Sequence, residues 1–423
     1  MSRKAGSNLF KNSVLSFLLN VSSTAIGFFA IPITLKIMGI EHYGSFIFVQ
    51  SLAMIAFTLT TVQYWQGLLV EIPGKVQSLA LLKRQVMRSV SFEALGGLAA
   101  ALLIIVISLP IFEISQINGF GRGDMLLAVV SMLLPSLGSL VAFYRLTNQY
   151  QILLMAGVCT NLLRLLLLFG ASRYYPTTSA VIVCYAAPEL FRLICLAAYM
   201  FWYQKPGAAA AASDDVIDEG RILSAGKWGS VQAIADLPIA NIDKVLVALV
   251  LSPEALGIYN ILKRLYAIIS MATTPVYANS IPEFAQKINT GDSAGAFALW
   301  RKTIWILLPV STVIGMTAFF SRSLWIPFIF RGLAEHSQEL LIIILAAIVA
   351  GSFITTHAFY WALGKKRETT AITVGTNLLY LFFLFTFSKF FGVSGAIGAF
   401  LLHVTLAVAI KVTLLLKERR AIV

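Results

Sequence analysis

An all-α polytopic membrane protein is the fold class the sequence predicts, with about twelve transmembrane helices in two pseudo-symmetric six-helix bundles around a central cleft. Three observations predict it. Apolar runs of about 20 residues, the length that crosses a hydrocarbon core ~30 Å thick, recur along the chain. Charged residues make up 12% of it and apolar ones 58%, whereas soluble domains carry roughly a quarter charged residues. Features of the first half also return 213 positions later.

Taken in chain order, the apolar windows place helices at 13–38, 45–70, 91–113, 124–145, 150–172 and 177–203. A second set follows at 228–251, 257–282, 302–321, 338–362, 371–388 and 395–416. The first run is long and lacks the small-residue cleavage site of a signal peptide, so it is expected to stay as a helix. The connections 71–90 and 283–301 are amphipathic and are expected to lie on the inner membrane surface as short helices. Trp65, Trp202, Trp228, Trp300 and Trp325 fall near span ends, as an aromatic belt would. The segment 204–227, with an alanine run and Asp214, Asp215, Asp218 and Glu219, reads as a flexible linker. The expected domains are an N-terminal half (1–204), a linker (205–227) and a C-terminal half (228–423).

Orientation follows from the basic residues. With the N-terminus inside, twenty of the 32 Lys and Arg fall in cytoplasmic segments and six on the opposite face. That asymmetry puts both termini in the cytoplasm. It also explains the net charge of +13 by topology, so no nucleic-acid partner is expected.

The 213-residue offset supplies the repeat. Glu41 and Gly44 in IEHYG meet Glu254 and Gly257 in PEALG. Thr60, Thr61 and Tyr64 meet Thr273, Thr274 and Tyr277, and Arg88 meets Arg301. Two similar bundles built this way suit a carrier that rocks one half against the other.

Several chemistries lack their residues. The string GRILSAGKW (220–228) has the wrong glycine spacing for a P-loop and Trp where Ser or Thr belongs. No His/Cys spacing suggests a metal, no Ser/His/Asp set is recognisable, and no outer loop is large enough for a catalytic domain. Neither an enzyme nor a cofactor is expected. Cys159, Cys184 and Cys195 all fall in spans and read as small core residues.

Two hairpins carry a resemblance. NIDKVLVALVLSPEALGIYNILKRL (241–265) has an Asp followed by a cation, an apolar run, a Pro-Glu turn and Gly-x-Tyr. IPITLKIMGIEHYGSFIFVQSL (31–52) has the Pro, the Gly-x-Glu and the Tyr-Gly. Both resemble the opening hairpins of bacterial polysaccharide and O-antigen flippases (the Wzx type). These belong to the multidrug/oligosaccharidyl-lipid/polysaccharide exporter superfamily. The resemblance implies a carrier of undecaprenyl-diphosphate-linked oligosaccharide repeat units across the bacterial inner membrane. It also implies membrane lipids and the polysaccharide polymerase machinery as partners. A cation-coupled small-molecule antiporter of the same superfamily is the second reading.

Charges inside spans are costly, about 2.5–3.5 kcal/mol each on insertion scales, and so need water, a partner or a ligand. The intramembrane cations are Arg164, Arg192, Lys244, Lys263, Arg264 and Lys411. On the flippase reading, the first five are candidates for the diphosphate, for which the planar fork of Arg is suited. Arg164 has no acidic neighbour at helical spacing and shares its face with Asn161 and Gly157. Glu189 and Arg192 are spaced to neutralise each other. Asp243 and Lys263 fall at similar depth, where an ion pair and substrate contact are both open readings. Lys244, Arg264 and Lys411 are placed to snorkel. Asp236, Asp243 and Glu189 are the ion-coupling or ion-pair candidates, and His357 and His403 read as hydrogen-bonded core. A polar stripe of Ser16, Asn20, Ser23, Gly27 and Thr34 fits close helix packing or a cavity wall.

Overall fold

A computed structural model describes residues 2–72, 78–114, 122–133, 138–204 and 218–422. The alanine run with Asp214 and Asp215, and the side chains of Ser16 and Asn20, lie outside the described residues. Among the described residues all regular structure is helical. Among the described residues seven helices are long and apolar enough to cross a membrane. Large apolar side chains such as Leu166, Phe169, Ile194, Val313 and Phe382 are more than half exposed. Lipid is the solvent such a surface suits, and a helix is the element that satisfies its own backbone there.

The helices run α1 Ser2–Thr60, α2 Tyr64–Glu71, α3 Leu79–Ile114, α4 Arg122–Leu133, α5 Gly138–Leu146, α6 Tyr150–Tyr174 and α7 Thr178–Trp202. They continue with α8 Glu219–Leu237, α9 Asp243–Val250, α10 Pro253–Met271, α11 Thr274–Asn289 and α12 Ser293–Phe320. The last are α13 Arg322–Ile329, α14 Ser337–Ser352, α15 Ile354–Ala362 and α16 Lys366–Ile422. The chain forms two compact units, Met1–Ile234 and Ala235–Val423.

Helix α1 is two helices. At Gly39 the backbone takes φ 74°, ψ 171°, a region essentially confined to glycine. Thr34 and Phe46 both touch Tyr185, by a 3.2 Å hydroxyl contact and a 5.4 Å ring contact. Twelve residues of straight helix would separate them by ~18 Å, so the chain folds back at Gly39. Helix α16 does the same at Gly392 (φ 61°, ψ −138°), and beyond the turn His403 Nδ1 returns to 3.1 Å from Thr376 O.

The repeated threonine pairs mark helix breaks. In the N-terminal unit Thr61 Oγ1 bonds back to Phe57 O at 2.5 Å, closing α1 before α2 begins. In the C-terminal unit Thr273 Oγ1 bonds to Ser270 O at 2.9 Å between α10 and α11. A hydroxyl that takes a helix carbonyl competes with the next backbone turn. The start of α3 at Leu79, moved by 213 positions, falls on Asp292, whose side chain caps α12 at Gly295 N, 2.8 Å away.

Several boundaries differ from expectation. The amphipathic stretches within 71–90 and 283–301 are not surface-lying helices. Residues 79–90 are the first turns of α3, and Leu82 and Val86 enter a core with Tyr64, Leu68, Phe143 and Tyr144. Phe284, Phe297 and Trp300 likewise build the other unit's core with Phe359 and Tyr360. Their apolar faces are buried by protein, so Trp300 is a core residue bonded to Thr356 at 3.2 Å and not a belt residue. Helix α8 starts at Glu219, because the Asp218 carboxylate accepts the Arg221 N–H at 3.1 Å and caps it. Its first turns pack on α2, where Ile222 is fully buried and a methyl on Gly67 would meet the Ile222 carbonyl. Cys184 is buried as expected, but Cys159 and Cys195 are exposed on the apolar surface.

Candidate functional site

In the N-terminal unit the charged side chains converge from α6 and α7. Asn161 and Arg164 lie three apart on α6, and Tyr185, Glu189 and Arg192 follow one face of α7. Arg164 Nη2 donates to Glu189 Oε1 at 2.7 Å, and its Nη1 to Asn161 Oδ1 at 3.2 Å. Its guanidinium also stands over the Tyr185 ring, 5.1 Å from the centroid. Arg192 Nη2 lies 2.7 Å from the other carboxylate oxygen, Glu189 Oε2. That contact is an ion pair by distance but not an aligned hydrogen bond, so Arg192 is the more loosely held.

The α1 stripe supports this constellation. Asn161 Nδ2 reaches Ser23 Oγ at 3.2 Å and its own helix at Gly157 O, 2.8 Å. Thr34 fixes the Tyr185 hydroxyl, and Gly27 faces open space.

One carboxylate between two guanidiniums leaves the cluster net positive. The Nε–H groups of both arginines are buried with no hydrogen-bond partner among the described residues. Buried donors of this kind are a reserve for an acceptor. The sequence did not show that Arg164 has an acidic partner, because Glu189 comes from the neighbouring helix. The Glu189–Arg192 pair at i,i+3 was visible in it. Tyr185 was missed, although its position one turn before Glu189 was a signal.

The C-terminal unit holds a second cationic group around Asp243, which is fully buried. Lys263 Nζ lies 2.7 Å from Asp243 Oδ2 and donates to Ile239 O at 2.9 Å. Tyr259 OH donates to the same Oδ2 at 2.7 Å, and Tyr380 OH lies 2.6 Å from the Tyr259 hydroxyl. The Lys244 backbone N–H takes Oδ1 at 2.8 Å. A π-helical segment, Pro238–Ile242, precedes Asp243. Wider helical turns of this kind release a carbonyl from the regular ladder and occur often at functional sites; here Ile239 O turns to Lys263.

Of the other expected residues, Lys244 Nζ does not reach outward but bends back to Ala240 O, 2.6 Å away. Arg264 is half-buried, and its charge and that of Lys263 both act on Lys244. Lys244 and Lys263 against the one Asp243 carboxylate make this group net positive too. Asp236 is half-buried one turn from the π segment, where its neighbour Ala235 O accepts Asn377 Nδ2 at 2.7 Å. Lys411 does not snorkel: its Nζ is 3.3 Å from His357 Nδ1. Tyr380 and Asn377 carried no sequence signal, while Tyr259 was visible only as part of Gly-x-Tyr.

Comparison with known proteins places this arrangement. Residues 9–287 match the family described as "Polysaccharide biosynthesis protein". No curated protein matches the chain in sequence. Among solved structures, the chain is similar to an inward-facing multidrug resistance MATE family transporter of the MOP superfamily (TM-score 0.72, 11% identity, 96% of this chain and 94% of that one). It is similar to the lipid II flippase MurJ in an inward closed conformation (TM-score 0.71, 12% identity, 96% and 87%). It is also similar to a MOP superfamily transporter from Pyrococcus furiosus with a binding pocket described as reversed in polarity (TM-score 0.60, 12% identity, 98% and 95%). The fold is that of the MOP superfamily, and the molecule is a multi-pass membrane protein.

Proposed function

We propose that this chain, which belongs to the polysaccharide biosynthesis protein family, flips lipid-diphosphate-linked oligosaccharides across a membrane. It is a transporter and not an enzyme. The cargo is an undecaprenyl-diphosphate-linked repeat unit of O-antigen, capsule or exopolysaccharide. The path runs from the inner to the outer face of the bacterial inner membrane by alternating access. Twelve crossings belong to this reading; the reversals at Gly39 and Gly392, which divide α1 and α16, support it. Both termini then lie in the cytoplasm by the charge asymmetry.

The observation that carries the proposal is the Arg164–Glu189–Arg192 cluster. Its single carboxylate orders two guanidiniums without neutralising both, and their Nε–H groups remain to be used. A diphosphate carries two to three negative charges and accepts paired hydrogen bonds from planar guanidinium. Lys244 and Lys263 around Asp243 give the group in the C-terminal unit the same sign.

The test is flipping in proteoliposomes of a polyprenyl-diphosphate oligosaccharide against the matching monophosphate lipid. Faster flipping of the diphosphate supports the proposal, and equal rates for the two remove the diphosphate as the recognised group. Transport of small organic cations with no lipid flipping would establish the antiporter reading.

A further inference from the structure

The C-terminal unit holds a chain of polar groups that the transport reading does not use. Trp361 Nε1 donates to His357 Nε2 at 2.9 Å, one helical turn apart on α15. An indole N–H can only donate, so Nε2 is the acceptor and the neutral ring carries its proton on Nδ1. Lys411 of α16 stands 3.3 Å from that same Nδ1. An ammonium can only donate, so a hydrogen bond at this contact requires Lys411 to be the neutral amine, accepting from the Nδ1–H. Asp236 of α8 is the carboxylate whose charge acts on Lys411, without a direct ion pair between them.

We propose that His357 and Lys411 together form a proton-binding site, with Asp236 as its counter-charge. A proton arriving from water has two destinations. On His357 Nε2 it displaces the Trp361 N–H. On Lys411 it creates an ammonium facing an N–H, which the ring relieves by moving its own proton to Nε2 so that Nδ1 accepts from Lys411, and this again releases Trp361. Uptake of one proton therefore breaks the Trp361 bond in either case. The added charge balances Asp236, so the loaded site is neutral where the empty one is negative.

Other groups around the pair do not supply this proton. Tyr277 of α11 lies beside His357, ring centroids 6.1 Å apart. Tyr360 donates its hydroxyl to the Lys411 carbonyl at 3.1 Å. Lys263 and Asp243 act by charge on His403, which is itself bonded to Thr376 O. Arg301 and Lys302 of α12 are exposed, and Glu339 sits at the far end of α14 on Ser394.

Trp361 reports on the site without any substrate, so the test is independent of the cargo. The pH titration of tryptophan emission is measured on the purified protein, and the Trp361 component is taken as the difference from Trp361→Phe. A single step between about pH 4 and pH 8 is expected. It should vanish in His357→Gln, whose amide oxygen still accepts from Trp361 but does not titrate. Lys411→Arg, permanently charged, should hold the Trp361 component in its low-pH form throughout. A wild-type Trp361 component that is flat over this range overturns the proposal. So does a step that persists in His357→Gln or remains unaltered in Lys411→Arg.

Discussion

Lys263 Nζ and Asp243 Oδ2 are 2.7 Å apart, and the carboxylate they share with Tyr259 has no exposed surface. A buried pair of this kind is weak evidence for net stability, but removing one partner leaves the other charge uncompensated. Lys263→Met or Asp243→Asn alone should destabilise the protein by about 3–5 kcal/mol, and the double variant by much less. Thermal unfolding in detergent measures all three. A double-variant loss equal to the sum of the two single losses would show that the pair is not coupled.

The two hairpin turns depend on glycine. Gly39→Val and Gly392→Val force a β-branched residue into φ near +74° and +61°, at a cost of about 1–3 kcal/mol each. Gly27→Ala, with open space around its Cβ, should leave the unfolding midpoint unchanged. The same detergent assay separates these outcomes.

Helix α8 is seated on α2 through a contact without room for a side chain. Gly67→Ala should shift backbone against the Ile222 carbonyl and cost about 1–3 kcal/mol. Ile222→Ala, deleting a fully buried side chain, should cost about 2–5 kcal/mol. Faster proteolysis near residue 219 is expected to accompany both, because the loosened turns of α8 become accessible. Cleavage unchanged in both variants would contradict this docking.

In the cationic cluster, Glu189→Gln keeps the shape but removes the only negative charge between Arg164 and Arg192. Binding of a soluble diphosphate to the purified protein should tighten by about tenfold, since a charge-assisted contact is worth about 1.5–3 kcal/mol. Weaker binding, measured by calorimetry, would mean that ordering of the arginines outweighs their release.

The elements were legible where composition decides them. Apolar windows fell on helices, seven of the described ones long and apolar enough to cross a membrane, and the Thr60–Thr61 and Thr273–Thr274 repeats turned out to be helix breaks. Boundaries failed at 71–90 and 283–301 because an amphipathic face looks the same whether lipid headgroups or a neighbouring helix will cover it. Glu189–Arg192 was readable because three residues make one helical neighbour. Arg164–Glu189, Asp243–Tyr380 and Lys411–His357 were not, because each joins separate stretches of chain, and no local pattern encodes which helices pack together.

We propose that Arg164 and Arg192 engage the diphosphate of a lipid-linked oligosaccharide, and the flipping rate in proteoliposomes for wild type, Arg164→Ala and Arg192→Ala, each first shown to be folded, measures this. The losses expected are at least about tenfold in each variant, the value of one charge-assisted hydrogen bond. Both variants flipping at the wild-type rate would contradict the account.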